Sequence, residues 1–241
     1  MTINNDPINN NTTPQAPAVI VMAKRPIPGR VKTRLTTEYT PHQAAQAHAA
    51  MLQCVLTRLA AHLPGQHYLA LDNQTAPPQQ VIDPTLDYQL PDNFTEIDQG
   101  TGDLGDRITH VWKSINPVPV VFFGVDSPDI PAETLASLWD NLAPADAAIG
   151  PVDDGGYWCL AAKRLPPPLL ADIDWGTPAV YHQTHQAAKN AGLNLLDLAP
   201  WHDVDDPADL LALQYRIKQT HEPALARLSQ RLNRITQDTI R

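Results

Sequence analysis

Two carboxylates, Asp126 and Asp129, directly follow an apolar run at residues 118–125 and could hold a metal ion. Such a run is typical of a strand buried on both faces, and open parallel sheets bind ligands just beyond the carboxyl ends of their strands. Carboxylates at that position suit a hard divalent cation that also holds a phosphate. We therefore predict Asp126 as a metal ligand. For Asp129 an alternative is equally open, because it could cap a helix that starts at Pro131.

A basic loop follows the first predicted strand. Of the seventeen Lys and Arg residues, five fall between positions 24 and 34, in a chain whose net charge is −9: Lys24, Arg25, Arg30, Lys32 and Arg34. An acidic protein repels nucleic acid as a whole, so this concentration indicates a small polyanion such as a nucleotide phosphate. Gly29 lets the backbone approach that ligand closely. The loop matches neither the Walker pattern nor the Rossmann dinucleotide fingerprint.

Three further loops carry candidate functional residues. Residues 99–107 place small side chains before a helix N-terminus, where a nucleobase or phosphate could bind, although glycines there are also common in caps. Residues 150–157 contain a double Asp beside two glycines and a Tyr, which suits either a tight hairpin or a carbohydrate-binding surface. In residues 203–207, Asp206 is the predicted helix N-cap, which leaves Asp203 and Asp205 without a structural role.

The composition frames these loops within one domain. At 241 residues, 43% of them hydrophobic, the chain can bury one substantial core. Residues 1–16 are rich in Asn, Thr and Pro, so we expect a disordered leader without the apolar core of a signal peptide. No apolar run reaches the ~18 residues of a membrane span, so we expect a soluble protein. Cys54 and Cys159 have neither metal-ligand spacing nor disulfide density, which favours the cytoplasm.

The element pattern predicts the fold class. Apolar β-type runs at 18–23, 67–71, 118–125, 147–150, 157–162 and 193–198 alternate with helical patterns at 40–63, 104–114, 131–142 and 177–191, and another helix starts at Asp206-Pro207. This alternation predicts a three-layer α/β/α sandwich with a mostly parallel central sheet. The Pro-rich stretch 76–91 is predicted as a loop with room for one short strand. Residues 216–241 form a helical tail, packed on the domain or extending it, whose basic residues we expect on a solvated face: Arg216, Lys218, Arg227, Arg231, Arg234 and Arg241.

Six segments, in this order, resemble the DUF2064 family of glycosyltransferase-like proteins, within the nucleotide-diphospho-sugar transferase (GT-A) superfamily: residues 23–35, 102–107, 124–128, 150–157, 175–177 and 203–207. The resemblance spans residues 18 to about 213 and is specific for the family, but much less so for the reaction. Some members are described as arsenosugar-biosynthesis glycosyltransferases. The same fold serves nucleotidyltransferases such as the molybdenum-cofactor guanylyltransferases and phospholactate guanylyltransferase.

The resemblance implies a role for each matching residue. The donor phosphates and nucleotide would be held by Lys24, Gly29, Arg30, Lys32, Arg34, Gly102, Asp103 and Arg107. Asp126 and Asp205 would bind a divalent cation, Mg²⁺ or Mn²⁺. Asp154 and Asp153 would be catalytic, and the sugar or acceptor would contact Gly155, Gly156, Tyr157 and Trp175. The chain departs from the family pattern at Gly176, where Ser is common, and at Asp206, where Thr is common.

The resemblance therefore implies that residues 17–215 form a metal-dependent transferase that moves a sugar from a nucleotide-sugar donor to a small acceptor. The metal and the basic loop would stabilise the departing nucleoside diphosphate, and Asp154 would accept the proton of the acceptor hydroxyl. One alternative is a guanylyltransferase-like nucleotidyltransferase that joins a nucleoside triphosphate to a phosphorylated small molecule and releases pyrophosphate. Another is a non-catalytic nucleotide-binding protein. All three imply small-molecule partners rather than nucleic acid or membrane.

Overall fold

The computed structural model describes residues 16–72, 84–116 and 119–237. Nearly all of the expected leader, the first half of the Pro-rich stretch, the first residue of the 118–125 run and Arg241 therefore lie outside the described residues. Among the helices of these three ranges, none has both the length and the apolar character needed to cross a membrane.

A seven-stranded sheet organises the described chain. Its strands are β1 (Ala18–Lys24), β2 (Gln66–Asp72), β3 (Phe94–Asp98), β4 (Val120–Phe123), β5 (Ala147–Pro151), β6 (Tyr157–Ala162) and β7 (Leu195–Asp197). Their order across the sheet is β3-β2-β1-β4-β6-β5-β7. Strand β6 runs antiparallel to β4 and β5, and the other neighbouring pairs are parallel. The carboxyl ends of six strands therefore meet at one edge of the sheet.

Helices cover both faces of this sheet. They are α1 (Pro41–His62), α2 (Leu104–Ile115), α3 (Ala132–Ala136), α4 (Leu138–Leu142), α5 (Val180–Asn190), α6 (Pro207–Ile217) and α7 (Pro223–Gln237). One hydrophobic cluster joins the sheet to helices α1, α3, α4, α6 and α7, and a second joins the opposite face to α2 and α5. The predicted three-layer α/β/α sandwich with a mostly parallel sheet is confirmed.

Local capping sets where the helices begin. Helix α1 starts with the predicted capping box, in which the Thr40 side chain accepts a hydrogen bond from the Gln43 amide and the Gln43 side chain binds back to Thr40. Asp206 caps α6 as predicted, paired with Asp209. These contacts satisfy amides that have no partner within the first helical turn. Since each cap connects residues three positions apart, sequence alone is enough to locate it.

Two elements differ from the sequence-based prediction. The edge strand β3 was not predicted, because Phe94–Asp98 contains only two apolar residues. The predicted helix at 131–142 is divided into α3 and α4 at Ser137, whose hydroxyl donates a hydrogen bond to the Glu133 carbonyl at 2.8 Å. Such a bond competes with the helical ladder and bends the chain.

Candidate functional site

A cavity of about 360 Å³ opens at the carboxyl ends of β1 and β4. Its apolar wall includes Ile108, Phe122 and Leu160, whereas its charged residues are Lys24, Lys32, Arg34, Asp126 and Asp205. A largely apolar concave surface with a few convergent charged groups is typical of a small-molecule site. The cavity can hold a flat apolar group against the wall and an anionic group at the charged rim.

Two backbone hydrogen bonds bring the predicted metal ligands Asp126 and Asp205 together. The amide of Val204 donates to the carbonyl oxygen of Asp126 at 2.9 Å, and the amide of Trp201 donates to the Pro151 carbonyl at 2.9 Å. The segment before α6 therefore runs alongside the ends of β4 and β5. Both predicted metal ligands thus reach the same cleft from distant parts of the chain.

The Lys32 ammonium lies between these two carboxylates. Its Nζ is 2.7 Å from Oδ1 of Asp126 and 3.2 Å from Oδ1 of Asp205, and it also donates to the carbonyl of Val204. The Lys32 side chain is only 5% exposed. The sequence-based prediction assigned Lys32 to the donor phosphates, but in this structure it is engaged with the acids.

Opposite charge controls the pKa values of this group. Burial by itself would lower the pKa of Lys32, but the charges of Asp126 and Asp205 outweigh it and hold the pKa above its ordinary value. Burial would likewise raise the pKa of Asp126, but the Lys32 ammonium holds it below the ordinary value. Because 46% of the Asp126 side chain remains exposed to the cleft, water screens part of this effect. Lys32 and Asp126 are therefore both charged at neutral pH.

The other predicted phosphate ligands of the basic loop lie nearer to solvent. Arg34 donates from Nη1 to Oδ2 of Asp205 at 2.9 Å, yet its side chain is 71% exposed. Lys24 and Arg30 are also exposed. Gly29 has a φ of +75°, and a side chain there would meet open space. The positive φ therefore accounts for glycine at this turn. The charged groups of Lys24, Arg30 and Arg34 remain accessible to an anion from solvent.

A group of three acids adjoins Asp126 and includes Asp205. Carboxylate oxygens of Asp154, Asp203 and Asp205 lie within 4.8 Å of one another, and these acids and Asp126 line a cavity of about 150 Å³. Burial, together with the charges of Asp154 and Asp205, raises the pKa of Asp203 to about 6. Converging hard oxygen ligands fit Mg²⁺ or Mn²⁺, whose charge would relieve this repulsion. The sequence signal for Asp203 was three acids within residues 203–206, but it did not distinguish Asp203 from its neighbours.

The two acids predicted to be catalytic have different surroundings. Asp154 belongs to the acidic group, and its Oδ1 accepts a hydrogen bond from the Gly156 amide at 2.8 Å. Asp153 is 79% exposed, and its Oδ2 accepts from Nδ1 of His202 at 3.1 Å. The structure brings Asp154 next to the predicted metal ligands and turns Asp153 toward a histidine on the neighbouring segment.

The predicted sugar or acceptor contacts lie along β6 and the turn before it. Gly155 has a φ of +87°, and a Cβ there would lie 2.3 Å from the carbonyl oxygen of Pro178. The Tyr157 hydroxyl is buried beside Thr184 and makes no hydrogen bond of normal geometry with any described residue, and burial raises its pKa. The rings of Tyr157 and Trp175 are nearly perpendicular, with their centroids 6.4 Å apart. Tyr157 lines both cavities, and its hydroxyl is buried.

Gly102, Asp103 and Arg107 take part in local structure at the start of α2. Asp103 is the N-cap, and Gly102 has a φ of +99° against the carboxylate of Asp106. Arg107 donates to the Gly102 carbonyl and to Oδ2 of Asp72, both at 3.0 Å. These contacts shape the loop beside Leu104, which lines the larger cavity. Their assignment to nucleotide binding stays a prediction.

The structure contradicts both roles predicted for Asp129, namely metal ligand and helix cap. Its side chain is 4% exposed and accepts hydrogen bonds from Nε of Arg216 at 2.6 Å and from Nε1 of Trp201 at 3.1 Å. The N-cap of α3 is Pro131, without a side-chain cap. Asp129 is therefore neither a helix cap nor part of the metal cleft. The expectation of a solvated Arg216 is likewise wrong, since this arginine pairs with a buried acid.

Comparison with known proteins identifies the family. The profile described as "Uncharacterized protein conserved in bacteria (DUF2064)" matches residues 55–177. The chain belongs to the DUF2064 family. The matched part of this DUF2064 protein contains Asp126, Asp154 and Trp175, whereas the basic loop and Asp205 lie outside it. Comparison with curated proteins gave no match.

Solved structures share the fold of this DUF2064 protein. A candidate nucleotide-diphospho-sugar transferase from Desulfovibrio desulfuricans G20 is 29% identical, with a TM-score of 0.76 over 92% of this chain and 97% of that chain. CMP:2-keto-3-deoxy-manno-octonic acid synthetase, complexed with CTP, is 13% identical, with a TM-score of 0.51 over 84% and 98%. A cytidylyltransferase from Leptospira borgpetersenii is 13% identical, with a TM-score of 0.52 over 94% and 97%. At 13% identity the likeness concerns the fold alone.

Proposed function

We propose that this DUF2064 protein is a nucleotide-dependent transferase that moves a sugar from a nucleotide-sugar donor to a small acceptor. The observation that carries the proposal is the cleft at the carboxyl edge of the sheet, where exposed cations and converging carboxylates border one partly apolar cavity. The similarity of this chain to the candidate sugar transferase of Desulfovibrio desulfuricans G20 supports the same function.

The basic loop would hold the donor phosphates. Lys24 and Arg34 line the cavity and are exposed, Arg30 is a further exposed cation of the loop, and guanidinium groups can donate paired hydrogen bonds to phosphate oxygens. The nucleoside would then lie against the apolar wall formed by Ile108, Phe122 and Leu160. The cavity thus has an apolar end for the base and a cationic end for the phosphates, as a nucleotide requires.

The carboxylates would hold a divalent cation. Asp126 and Asp205 are the proposed ligands, and Asp203 is the next acid within reach. A bound Mg²⁺ or Mn²⁺ supplies positive charge that stabilises the phosphate oxygens of a departing nucleoside diphosphate. The acids converge from the loop after β4 and from the segment before α6, so ion binding depends on the tertiary fold.

Asp154 would act on the acceptor. The Gly156 amide orients its carboxylate toward the acidic cleft, where it can take the proton of an acceptor hydroxyl. The adjoining turn and the ring of Tyr157 would contact the sugar or the acceptor. Trp175 packs nearly perpendicular to that ring.

Nucleotidyl transfer is the second candidate. The three exposed cations of the basic loop could also hold a triphosphate, and the same metal ligands would then serve release of pyrophosphate. The reactions differ in their product, so analysis of the released group separates them.

A two-stage experiment tests the proposal. A thermal-shift screen of nucleotides and nucleotide-sugars, with and without Mg²⁺ or Mn²⁺, finds the ligand, since a hundredfold excess over the dissociation constant adds about 2.7 kcal/mol of stability. Product analysis with that ligand follows. Release of nucleoside diphosphate supports sugar transfer, and release of pyrophosphate supports nucleotidyl transfer. Metal-dependent binding without product for any offered acceptor would favour a non-catalytic nucleotide-binding protein.

A further inference from the structure

The Lys32 ammonium is fully engaged inside the protein. An ammonium has three N–H donors, and Lys32 directs them to three oxygen acceptors: Oδ1 of Asp126, Oδ1 of Asp205 and the Val204 carbonyl. Its side chain is 5% exposed. In this arrangement Lys32 has no donor left for a phosphate, although it belongs to the basic loop.

Two other cations of the loop, Arg34 and Lys24, are exposed to solvent, unlike Lys32. Arg34 contacts Asp205 but is 71% exposed, and Lys24 is exposed on the cavity rim. These two can meet an anion from solvent without leaving a buried position. The loop therefore contains one internal cation and several open ones.

The internal cation occupies the space between the two proposed metal ligands. A Mg²⁺ or Mn²⁺ ion held by the same Oδ1 atoms of Asp126 and Asp205 would need oxygen ligands at roughly 2.0–2.6 Å, which would put it where the ammonium lies. Two cations at that separation also repel each other strongly. An ion at that position and the Lys32 ammonium would therefore exclude each other.

The backbone of Lys32 is also unusual. Its φ of 46° and ψ of 45° lie in the left-handed region, which residues other than glycine seldom adopt. The ion pairs with Asp126 and Asp205 help to hold the residue in this conformation. Loss of these pairs would let the side chain move toward the open part of the loop.

We propose that Lys32 is a tethered cation that competes with the divalent metal for Asp126 and Asp205 and moves to the donor phosphate when the metal binds. This inference rests on the proposed function of the site. The movement of Lys32 makes metal binding and phosphate binding favour each other, because the displaced ammonium needs a new anion and the phosphate provides one. Without a nucleotide, the protein binds the metal weakly.

Replacement of Lys32 by a neutral side chain of similar length tests the competition. We expect Lys32→Met to bind Mn²⁺ alone, in the absence of any nucleotide, roughly tenfold more tightly than the parent by titration calorimetry, because a competing charge is gone. Lys24→Met is the matched control. It removes the same charge from the same loop, and we expect a much smaller change in Mn²⁺ affinity because Lys24 is exposed to screening water.

The outcomes separate this inference from the proposed function. If the parent binds Mn²⁺ and Lys32→Met binds it no more tightly, the inference is wrong while the metal site stands. An equal gain in Lys24→Met would also overturn the inference, because net charge alone would explain it. If neither the parent nor Lys32→Met binds millimolar Mn²⁺, the metal part of the proposed function fails, and the inference fails with it.

Nuclear magnetic resonance of the lysine ¹⁵Nζ groups tests the unmodified protein, in case Lys32→Met does not fold. A buried, hydrogen-bonded ammonium exchanges slowly with water, and variants of the exposed lysines leave its signal to be assigned by elimination. We expect saturating Mg²⁺ to shift the Lys32 signal or to abolish its protection from exchange. An unchanged, protected signal in Mg²⁺-bound protein would overturn the inference.

Discussion

Nε of Arg216 lies 2.6 Å from Oδ2 of Asp129, and this contact joins α6 to the turn that follows Asp126. Asp129 also accepts a hydrogen bond from Trp201, at the start of the segment that leads to Asp205. The Val204 amide binds the Asp126 carbonyl from the same segment. The two acids proposed to hold a metal are thus positioned by one set of contacts, which joins the end of β4 to α6 and to the segment before α6.

We expect Arg216→Met to destabilise the protein by roughly 3 kcal/mol, because it leaves the Asp129 carboxylate buried without a counter-charge. Urea unfolding of parent and variant measures the difference. Arg227→Met on the exposed face of α7 is the control, with little expected change. A loss below about 1 kcal/mol, as for a surface ion pair, would contradict a structural role for the Arg216 contact.

Asp126→Asn should weaken Mn²⁺ binding by about tenfold or more, because it removes one charged oxygen ligand from the proposed site. Titration calorimetry with Mn²⁺ measures this change. Asp92→Asn makes the same substitution before β3, at the opposite edge of the sheet, and should leave Mn²⁺ affinity unchanged. Equal Mn²⁺ affinity in parent and Asp126→Asn would remove Asp126 from the site and leave the acids near Asp205.

Arg34→Lys should weaken binding of the nucleotide found by thermal shift, although the charge is kept, because lysine cannot reproduce the planar fork of a guanidinium. Arg34→Ala should weaken that binding further. Calorimetry with the same nucleotide compares both variants with Arg164→Lys, an exposed site at the opposite edge of the sheet. If both Arg34 variants match the parent, Arg34 does not contact the nucleotide.

Asp154→Asn should lower turnover by a factor on the order of 10²–10⁴ while leaving metal-dependent nucleotide binding nearly intact. The reason is that an amide cannot accept the acceptor proton but can still accept the hydrogen bond from Gly156. Turnover, nucleotide affinity and Mn²⁺ affinity are measured on the same preparation. Loss of Mn²⁺ binding would instead make Asp154 a metal ligand together with Asp203 and Asp205, and unchanged turnover would assign it to the turn alone.

The buried His67 predicts a dependence of stability on pH. Its Nε2 donates to the Leu63 carbonyl at 3.0 Å, its Nδ1 lies 3.3 Å from the Asn93 amide, and burial lowers its pKa below the ordinary 6.5. The unfolded chain therefore takes up a proton first as the pH falls. The stability that a neutral His67 provides is complete above about pH 6.5 and is lost as the pH falls toward the folded pKa.

We therefore expect parent stability to fall more steeply than that of His67→Gln between about pH 7 and about pH 5, as measured by urea unfolding at each pH. The raised pKa of Asp203 acts in the opposite direction, since protonation of that acid in the folded state favours folding at lower pH. Asp203 is common to both proteins, so the difference between them isolates His67. Parallel pH profiles would contradict the prediction.

Local sequence signals account for the layered fold. Thr40 and Gln43, and likewise Asp206 and Asp209, are close enough in sequence to mark where α1 and α6 begin. Alternating apolar runs and helical patterns were enough to predict a mostly parallel sheet and to put Asp126 at its carboxyl edge. The apolar pattern of β3 is too weak to predict a strand, and its pairing with β2 stabilises it instead. A short stretch of sequence does not show such pairing between distant segments.

The sequence by itself determined which loops carry acids and cations, because each of these loops follows an apolar strand or precedes a capped helix. The tertiary structure alone decided their partners. Asp129 lies next to Arg216 rather than the cleft, and Lys32 lies between Asp126 and Asp205 rather than on the loop surface. The physical reason is that burial selects the charge pairs, since an enclosed ionic group requires an opposite charge from wherever the fold supplies one.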